Sequence, residues 1–360
     1  MSLLFEPLTL RELVVPNRVF MAPMCQYSAA AEGDATGAPT DWHFQHLASR
    51  AAGGTGLILT EATAVSPEGR ISPWDLGIWN GRQVEGFRRV TSFLKDLGTV
   101  AGIQLAHAGR KASSYRPWDA AAGSLPAGDP LAWRTVGPSA EAFGGMAEPA
   151  ELSVDQIGVV VRQFAEAAER ALAAGFQVAE IHGAHGYLVH EFLSPASNHR
   201  TDAYGGSLEN RMRFALEVTE AVRAVWPEDL PVFFRVSATD WLDEGGWTAE
   251  ESVLLAKELE ARGVDLVDVS TGGNVPHAAD IPVGPGYQVP FAARIRNEAG
   301  IATAAVGLIT DPRQAEGILA SGEADAVLLG RELLRDPYWA RHAADALGHE
   351  LPKLNQYARS

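Results

Sequence analysis

Short apolar runs alternate with longer amphipathic segments along almost the whole chain, and this alternation most constrains the fold. The apolar runs are continuous rather than alternating with polar residues, which is typical of parallel strands covered on their outer face. The candidate strands cover residues 19–24, 57–64, 100–105, 178–182, 232–236, 266–269, 302–306 and 326–329. The clearest helical segments cover residues 84–97, 154–174, 208–225, 249–262 and 312–320.

Eight strand–helix pairs predict an α/β fold in which the parallel strands close into a single (β/α)8 TIM barrel. The alternative, an open doubly wound sheet, would need a glycine-rich phosphate loop after its first strand, and the sequence has no such motif there. Residues 5–17 predict a small β-hairpin that closes the bottom of the barrel. We therefore expect one domain over residues 1–360, with residues 1–17 as an N-terminal hairpin cap.

The connection after the third strand, residues 107–150, is rich in Pro, Gly and Ala and is unusually long. In a TIM barrel, the segments that follow strands lie on the C-terminal face, where the active site is built. We expect this long loop to lie over that face.

Charge and cysteine content exclude several functions. With 29 Lys and Arg against 45 Asp and Glu, the net charge is −16, which argues against binding to nucleic acid or to anionic membranes. The sequence has no membrane-spanning run and no signal peptide, so we expect a cytoplasmic protein. The single cysteine, Cys25, rules out an intrachain disulfide and a cysteine-ligated zinc or iron–sulfur site.

The most reactive side chains follow the fourth strand, where His182, His185 and Tyr187 lie in the segment HGAHGY. Two imidazoles can polarise one carbonyl oxygen, and a tyrosine hydroxyl can protonate the neighbouring carbon. One alternative is a metal site, but the sequence offers only Glu191 as a third ligand. The other is a purely structural histidine pair. Substrate binding is the interpretation that we favour, and we expect no metal.

Arg235, near the end of the fifth strand, would be a buried cation at the barrel mouth. In one interpretation it faces the N1 edge of a reduced flavin, beside the amide of Gln104. In the other it pairs with a carboxylate at the barrel rim, Glu180 or Asp268. The sequence gives these two interpretations equal weight.

Gly307 and Gly330 follow the seventh and eighth strands, where TIM barrels often bind phosphate through backbone N–H groups, and Arg331 opens a short helix there. Two ordinary barrel turns would contain the same glycines. A flavin-free lyase or isomerase with a phosphorylated substrate is also compatible with this site. Cys25 follows the first strand beside Tyr27 and is either a packing residue or part of the site.

Seven segments together resemble the Old Yellow Enzyme family of FMN-dependent oxidoreductases, in particular its bacterial ene-reductases and xenobiotic reductases. They are PNRVFMAPMCQYS, TEATAVSPEGRIS, IQLAHAGRKAS, EIHGAHGYLVHEFLSPASNHRTDAYGGSLENRMRF, FRVSATD, AAVGLITDP and LLGRELLRDP. The resemblance implies an NADPH dehydrogenase that binds FMN, takes hydride from NADPH or NADH and reduces activated alkenes. A flavin-binding protein without turnover is the remaining alternative.

The resemblance also implies roles for individual residues. The flavin ring and ribityl chain would contact Pro23, Met24, Cys25, Ala62, Gln104 and Arg235, and the phosphate would contact Ala305, Gly307, Gly330 and Arg331. His182 and His185 would hold the substrate, and Tyr187 would protonate its α-carbon. Tyr27 would line the pocket, and Cys25 would tune the flavin potential.

The C-terminal tail, residues 350–360, ends in Gln356-Tyr357-Ala358-Arg359. This pattern resembles a segment that, in part of the family, carries an arginine into the active site of a neighbouring subunit. The resemblance therefore implies a homodimer or homotetramer, with Arg359 as a candidate substrate-binding residue.

Overall fold

Twelve β-strands lie in residues 2–276 and 281–359, the parts of the chain that the computed structural model describes. In chain order they are β1 (Leu8–Leu10), β2 (Leu13–Val15), β3 (Val19–Met21), β4 (Leu57–Ala64), β5 (Val100–Ala106), β6 (Val136–Gly137), β7 (Ala150–Glu151), β8 (Val178–Gly183), β9 (Val232–Ser237), β10 (Leu266–Ser270), β11 (Ala302–Ala305) and β12 (Ala326–Leu329). Strands β3, β4, β5 and β8 to β12 form a closed barrel in which neighbouring strands are parallel. The predicted TIM barrel is confirmed.

The outer layer of the barrel is helical. In chain order the helices of the described residues are α1 (Asp41–Ala52), α2 (Gly81–Asp96), α3 (Val154–Ala173), α4 (Leu188–Leu193), α5 (Leu208–Val225), α6 (Ala249–Glu260), α7 (Val289–Ala299), α8 (Pro312–Ala320), α9 (Arg331–Arg335) and α10 (Trp339–Ala346). Side chains cap the N-termini of several helices. Ser153 accepts a hydrogen bond from a backbone N–H of α3, and Thr248 accepts one from a backbone N–H of α6. None of these helices has the length and apolar character that a bilayer crossing requires.

The barrel interior has an apolar lower half and a polar upper half. Alternate side chains of each strand point inward. In the lower half they pack against the hairpin of β1 and β2, in a cluster of Leu10, Leu13, Val15, Phe20, Ala22, Leu57, Leu59, Val100, Val178, Phe233, Leu266, Ala304, Ala326 and Leu328. Burial of each large apolar side chain contributes about 1.5–3 kcal/mol. The hairpin therefore closes the bottom of the barrel, as predicted.

Strand β3 ends at Met21, three residues before the predicted end. Pro23 has no backbone N–H, so it cannot continue the ladder of hydrogen bonds. Ala22 still donates to the carbonyl of Leu329 at 3.1 Å, and the chain leaves the barrel after it. Residues 23–27 are consequently available to line the barrel mouth.

The long connection after β5 packs at the barrel mouth. Ala108 and Ala112 join a small apolar cluster against which Cys25, Tyr27 and Tyr187 pack. The exposed ring of Trp118 meets Tyr27 edge-on, with 5.6 Å between ring centroids. The long loop thus contributes to the wall of the mouth.

Candidate active site

His182, in the upper half of β8, is a neutral hydrogen-bond donor. Its Nδ1 accepts a hydrogen bond from the backbone N–H of Ala184 at 3.3 Å. Burial, reinforced by the charge of Arg235, holds the pKa of His182 well below its usual value. A neutral imidazole whose Nδ1 accepts must carry its proton on Nε2. His182 therefore has one N–H to offer a ligand.

The backbone of His185 lies in the left-handed region, with φ of +60°. Such a conformation is uncommon outside glycine and persists only where neighbouring groups hold it. The His185 N–H donates to Ser237 Oγ at 2.9 Å, and Lys111 Nζ donates to the His185 carbonyl at 2.8 Å and to the Gly273 carbonyl at 2.9 Å. These bonds fix the turn that carries His185.

The His185 ring lies beside His182, with 5.3 Å between centroids and an interplanar angle of 83°. Its Nε2 is 2.7 Å from Ser270 Oγ. Burial, with the charge of Arg235, holds the pKa of His185 well below its usual value, so this ring is neutral too. When the Ser270 hydroxyl donates to Nε2, the proton of His185 lies on Nδ1.

Tyr187 precedes α4 and packs edge-on against His182, with 5.1 Å between ring centroids. Burial, followed by the nearness of Cys25 and Tyr27, raises the pKa of Tyr187 well above its usual value. The hydroxyl is therefore protonated and can donate. The structure thus brings together the three side chains that the sequence singled out after the fourth strand.

A buried histidine that the sequence analysis did not single out holds the same turn. His190 Nδ1 accepts from the backbone N–H of Gly186 at 3.0 Å, and its Nε2 lies 3.1 Å from Asp240 Oδ1. Burial raises the pKa of Asp240, but the neighbouring His190 and the Ser194 hydroxyl outweigh it and lower that pKa to about 2. In the sequence, His190 looks like an ordinary position of a short helix.

The segment after β3 lines the opposite side of the mouth. The N–H of Gln26 donates to Glu61 Oε2 at 3.1 Å, and Tyr27 has a φ of +49°. Pro23, Met24 and Cys25 are half-buried. Burial, with the charges of Asp75 and Glu61, raises the pKa of the Cys25 thiol well above its usual value, so the thiol is uncharged.

Ala62 belongs to the same side of the mouth because of an irregularity in β4. The register between β4 and β5 shifts between Leu59 and Ala62, which leaves Ala62 opposite Gln104. Ala62 packs in the apolar cluster that Tyr27 contacts. The structure therefore brings Ala62 and Gln104 together, and their contact with the flavin stays a prediction.

Arg235 has a carboxylate partner. Its Nε lies 3.0 Å from Asp268 Oδ2, while Gln104 Nε2 donates to Glu180 Oε1 at 2.8 Å. Of the two interpretations from the sequence, the ion pair is present. The Nη groups of Arg235 have no hydrogen-bond partner in the described parts of the chain, so they remain available to a ligand.

A cavity of about 320 Å³ lies beside the ends of β11 and β12, next to His185. Gly307, Leu308, Gly330 and Arg331 line it, and their backbone N–H groups donate to no acceptor among the residues described. Gly307 has a φ of +125°, which favours glycine. Arg331 is exposed and contributes to this wall, and its predicted contact with the phosphate stays a prediction.

The side chain of Ala305 does not face this cavity, and its predicted contact with the phosphate stays a prediction. Ala305 is the last residue of β11, and its side chain packs outward in the apolar cluster that includes Val289 and Ile318. Val306 lines the cavity instead, one residue later, because successive side chains of a strand face opposite sides.

Gln288 is a second residue that the sequence did not reveal. Its Nε2 donates to the Val306 carbonyl at 3.1 Å, and its Oε1 accepts from Thr271 Oγ1 at 2.7 Å. These bonds tie the cavity wall to the end of β10. Gln288 lies in an irregular connection with no periodic pattern, so no sequence signal marks it.

The geometry of the mouth fits FMN. Four unpaired backbone N–H groups can hold a phosphate, and a Cβ at Gly307 would lie 3.0 Å from Gln288 Nε2, so only glycine leaves that wall open. The free Nη groups of Arg235 can face the electron-rich edge of a flavin ring.

Arg359 is not part of this mouth in its own chain. It is exposed at the end of the tail, and the preceding Leu351 and Pro352 pack near Asn17 and Thr99, at the bottom of the barrel. Its predicted role concerns a second copy of the chain and stays a prediction.

Known proteins resemble this chain over nearly its whole length. The NADH:flavin oxidoreductase / NADH oxidase family matches residues 3–350. The NADPH dehydrogenase of Bacillus subtilis (strain 168) is 49% identical over 99% of this chain and 98% of its own, and that of Listeria innocua is 49% identical over 100% and 99%. Morphinone reductase superposes with a TM-score of 0.78 at 29% identity, over 97% of this chain and 91% of its own.

The old yellow enzyme homologue from Zymomonas mobilis also superposes with a TM-score of 0.78, at 28% identity, over 98% of this chain and 95% of its own. FMN is therefore the cofactor and NADPH or NADH the reductant, and both the flavin-free alternative and the alternative without turnover are set aside. The chain belongs to the NADH:flavin oxidoreductase / NADH oxidase family, the Old Yellow Enzyme family.

Proposed function

We propose that this protein reduces the C=C bond of α,β-unsaturated carbonyl or nitro compounds with NADPH or NADH. One observation carries this proposal. Three uncharged proton donors meet at the barrel mouth, since the ring of His182 lies 5.3 Å from that of His185 and 5.1 Å from that of Tyr187.

The two histidines bind the electron-withdrawing group of the substrate. FMN, when bound, would supply the hydride that the nicotinamide provides. As the β-carbon gains that hydride, negative charge develops on the substrate oxygen, and the Nε2–H of His182 stabilises it. His185 adds a second donor at Nδ1 when the Ser270 hydroxyl donates to its Nε2.

Tyr187 protonates the α-carbon. Its raised pKa keeps the hydroxyl protonated at neutral pH, so a proton is always in place when the substrate binds. Lys111 Nζ, 5.1 Å from the ring centroid of Tyr187, favours the developing negative charge on the phenolic oxygen. Tyr27, with Trp118 against its edge, lines the pocket beside these groups.

An anaerobic absorbance experiment tests the proposal. NADPH should bleach the yellow protein, and 2-cyclohexenone should then restore the colour, with cyclohexanone as the matched control that lacks the C=C bond. Equal reoxidation rates with the two ketones would contradict the proposal. Bleaching without any recovery would leave an NADPH dehydrogenase that is not an ene-reductase.

We further propose a cytoplasmic homodimer or homotetramer in which Arg359 completes a neighbouring site. The exposed position of Arg359, away from its own barrel mouth, supports this arrangement. Mixed oligomers of Arg359→Ala and His182→Ala subunits should be more active than the mean of the two parents, because some sites escape both changes. Activity equal to that mean would contradict it.

A further inference from the structure

Four polar side chains lie inside the upper half of the barrel, one on each of the four successive neighbouring strands β5, β8, β9 and β10. Gln104 and Glu180 are register partners across β5 and β8, and Arg235 and Asp268 are register partners across β9 and β10. Across β8 and β9, the register partner of Arg235 is His182, two residues after Glu180, so Glu180 and Arg235 are diagonal neighbours. All four residues are buried. The group contains two carboxyl groups and one guanidinium.

The two carboxyl groups have different partners. Asp268 lies 3.0 Å from the Arg235 cation, whereas Glu180 accepts only the neutral amide of Gln104. Glu180 Oε2 and both Asp268 oxygens have no hydrogen-bond donor among the residues described. Two ionised carboxylates in a buried site with one cation would leave one negative charge uncompensated, which is costly.

The proton therefore belongs on Glu180. Burial, and then the nearness of Asp268, raise the pKa of Glu180 well above its usual value. Burial also raises the pKa of Asp268, but only to about 6, because Arg235 opposes it. The ion pair with Arg235 thus favours the negative charge on Asp268, and the neutral partner of Glu180 favours the proton there.

We propose that Glu180 and Asp268 together hold a single negative charge, and that this charge, set against Arg235, adjusts the reduction potential of the bound FMN. The proposal rests on the placement of the flavin edge at Arg235. An unpaired Arg235 would favour the reduced, electron-rich flavin too strongly, so that hydride transfer to the substrate would suffer. The buried carboxylate offsets part of the stabilisation that the positive charge of Arg235 gives to the reduced flavin.

The variant Glu180→Gln and the double variant Glu180→Gln/Asp268→Asn test this directly. We expect Glu180→Gln to keep the equilibrium between oxidised and reduced FMN within about threefold of the wild type, because it exchanges one neutral group for another. The double variant should shift this equilibrium toward reduced FMN by at least about tenfold, which is a rise of about 30 mV in the two-electron reduction potential. A tenfold shift in Glu180→Gln alone, or none in the double variant, would overturn the proposal.

Infrared spectroscopy keeps the proposal testable if the double variant does not fold. At pH 7, the difference spectrum between the wild type and Glu180→Gln should contain the carbonyl stretch of one protonated carboxyl group, sensitive to D2O. Bands from other buried carboxyl groups, such as Glu61 and Glu191, cancel in this difference. A spectrum unchanged by Glu180→Gln would overturn the proposal. Neither measurement uses an alkene, so failure here is distinguishable from failure of the proposed ene-reduction.

Discussion

The two halves of the barrel mouth act through different parts of the chain. At the ends of β8, β9 and β10, the reactive groups are side chains: imidazoles, a phenol and a guanidinium. At the ends of β11 and β12, they are backbone N–H groups held open by Gly307 and Gly330. The side-chain half suits a substrate whose charge changes during the reaction, and the backbone half suits a phosphate whose charge stays constant.

This difference determines how each half can fail. In the side-chain half, removal of one group should slow one chemical step while the fold and the cofactor remain. In the backbone half, the identity of most side chains matters little, but an added Cβ at Gly307 would move the wall itself. The following changes separate the two kinds of failure.

The largest effect should follow loss of a histidine donor. For His182→Ala or His185→Ala, we expect reduction of 2-cyclohexenone to fall about 100- to 1,000-fold, as for other lost oxyanion donors. Reduction of the flavin by NADPH should change far less, because it involves no substrate oxygen. Stopped-flow absorbance of the two half-reactions measures both; equal slowing of the two would assign the histidines to the cofactor rather than to the substrate.

Tyr187→Phe should slow alkene reduction by about 100-fold, the lower end for loss of a general acid. Flavin reduction by NADPH should be near normal. Tyr204→Phe is the matched control, because Tyr204 is bonded to Glu217 and lies outside the mouth. If Tyr187→Phe slowed both half-reactions alike, Tyr187 would only shape the pocket.

In the backbone half, Gly307→Ala should weaken FMN binding by about 1–3 kcal/mol, or roughly 5- to 150-fold in Kd. The reason is the φ of +125° together with the 3.0 Å approach of the new Cβ to Gln288. Gly317→Ala, in α8 with open space around its Cβ, is the control and should bind FMN normally. Flavin fluorescence titration gives both constants, and equal constants would remove Gly307 from the phosphate site.

The smallest effect concerns stability rather than catalysis. Burial, then Arg50 and His43, lower the pKa of His46 from 6.5 to about 3. The unfolded chain therefore binds more protons below pH 6.5, and stability is lost as the pH falls through that range. At pH 4.5, we expect His46→Gln to recover up to about 2–3 kcal/mol of the free energy of unfolding that acid removes.

Denaturant unfolding at pH 7 and pH 4.5 measures this recovery. The exposed His342 provides the control variant His342→Gln, which should keep the acid sensitivity of the wild type. If His46→Gln lost as much stability on acidification as the wild type does, the buried neutral imidazole would not be its cause.

Strong patterns made the barrel and its reactive residues predictable. The barrel strands are mostly apolar, and His182 lies near the end of one of them, with His185 and Tyr187 directly after it. Ala305 and Val306 show where this reasoning stops, because the sequence does not reveal which of two successive side chains faces the cavity. Gln288 and His190 were missed because their roles depend on contacts to backbone groups that no local pattern encodes.

The partner of Arg235 shows a different kind of limit. The sequence named both Glu180 and Asp268, but the choice between them depends on register across β9 and β10 and on a 3.0 Å distance. Such pairings follow from the closure of the barrel rather than from either strand alone.

The most direct test of the account is a single-turnover measurement on the double variant His182→Ala/His185→Ala. The anaerobically reduced protein is mixed either with 2-cyclohexenone or with oxygen, whose reaction needs no donor to a carbonyl. We predict that reoxidation by the enone falls at least about 100-fold, while reoxidation by oxygen stays near the wild-type rate. Near-normal reoxidation by the enone would contradict the assignment of this histidine pair to the substrate.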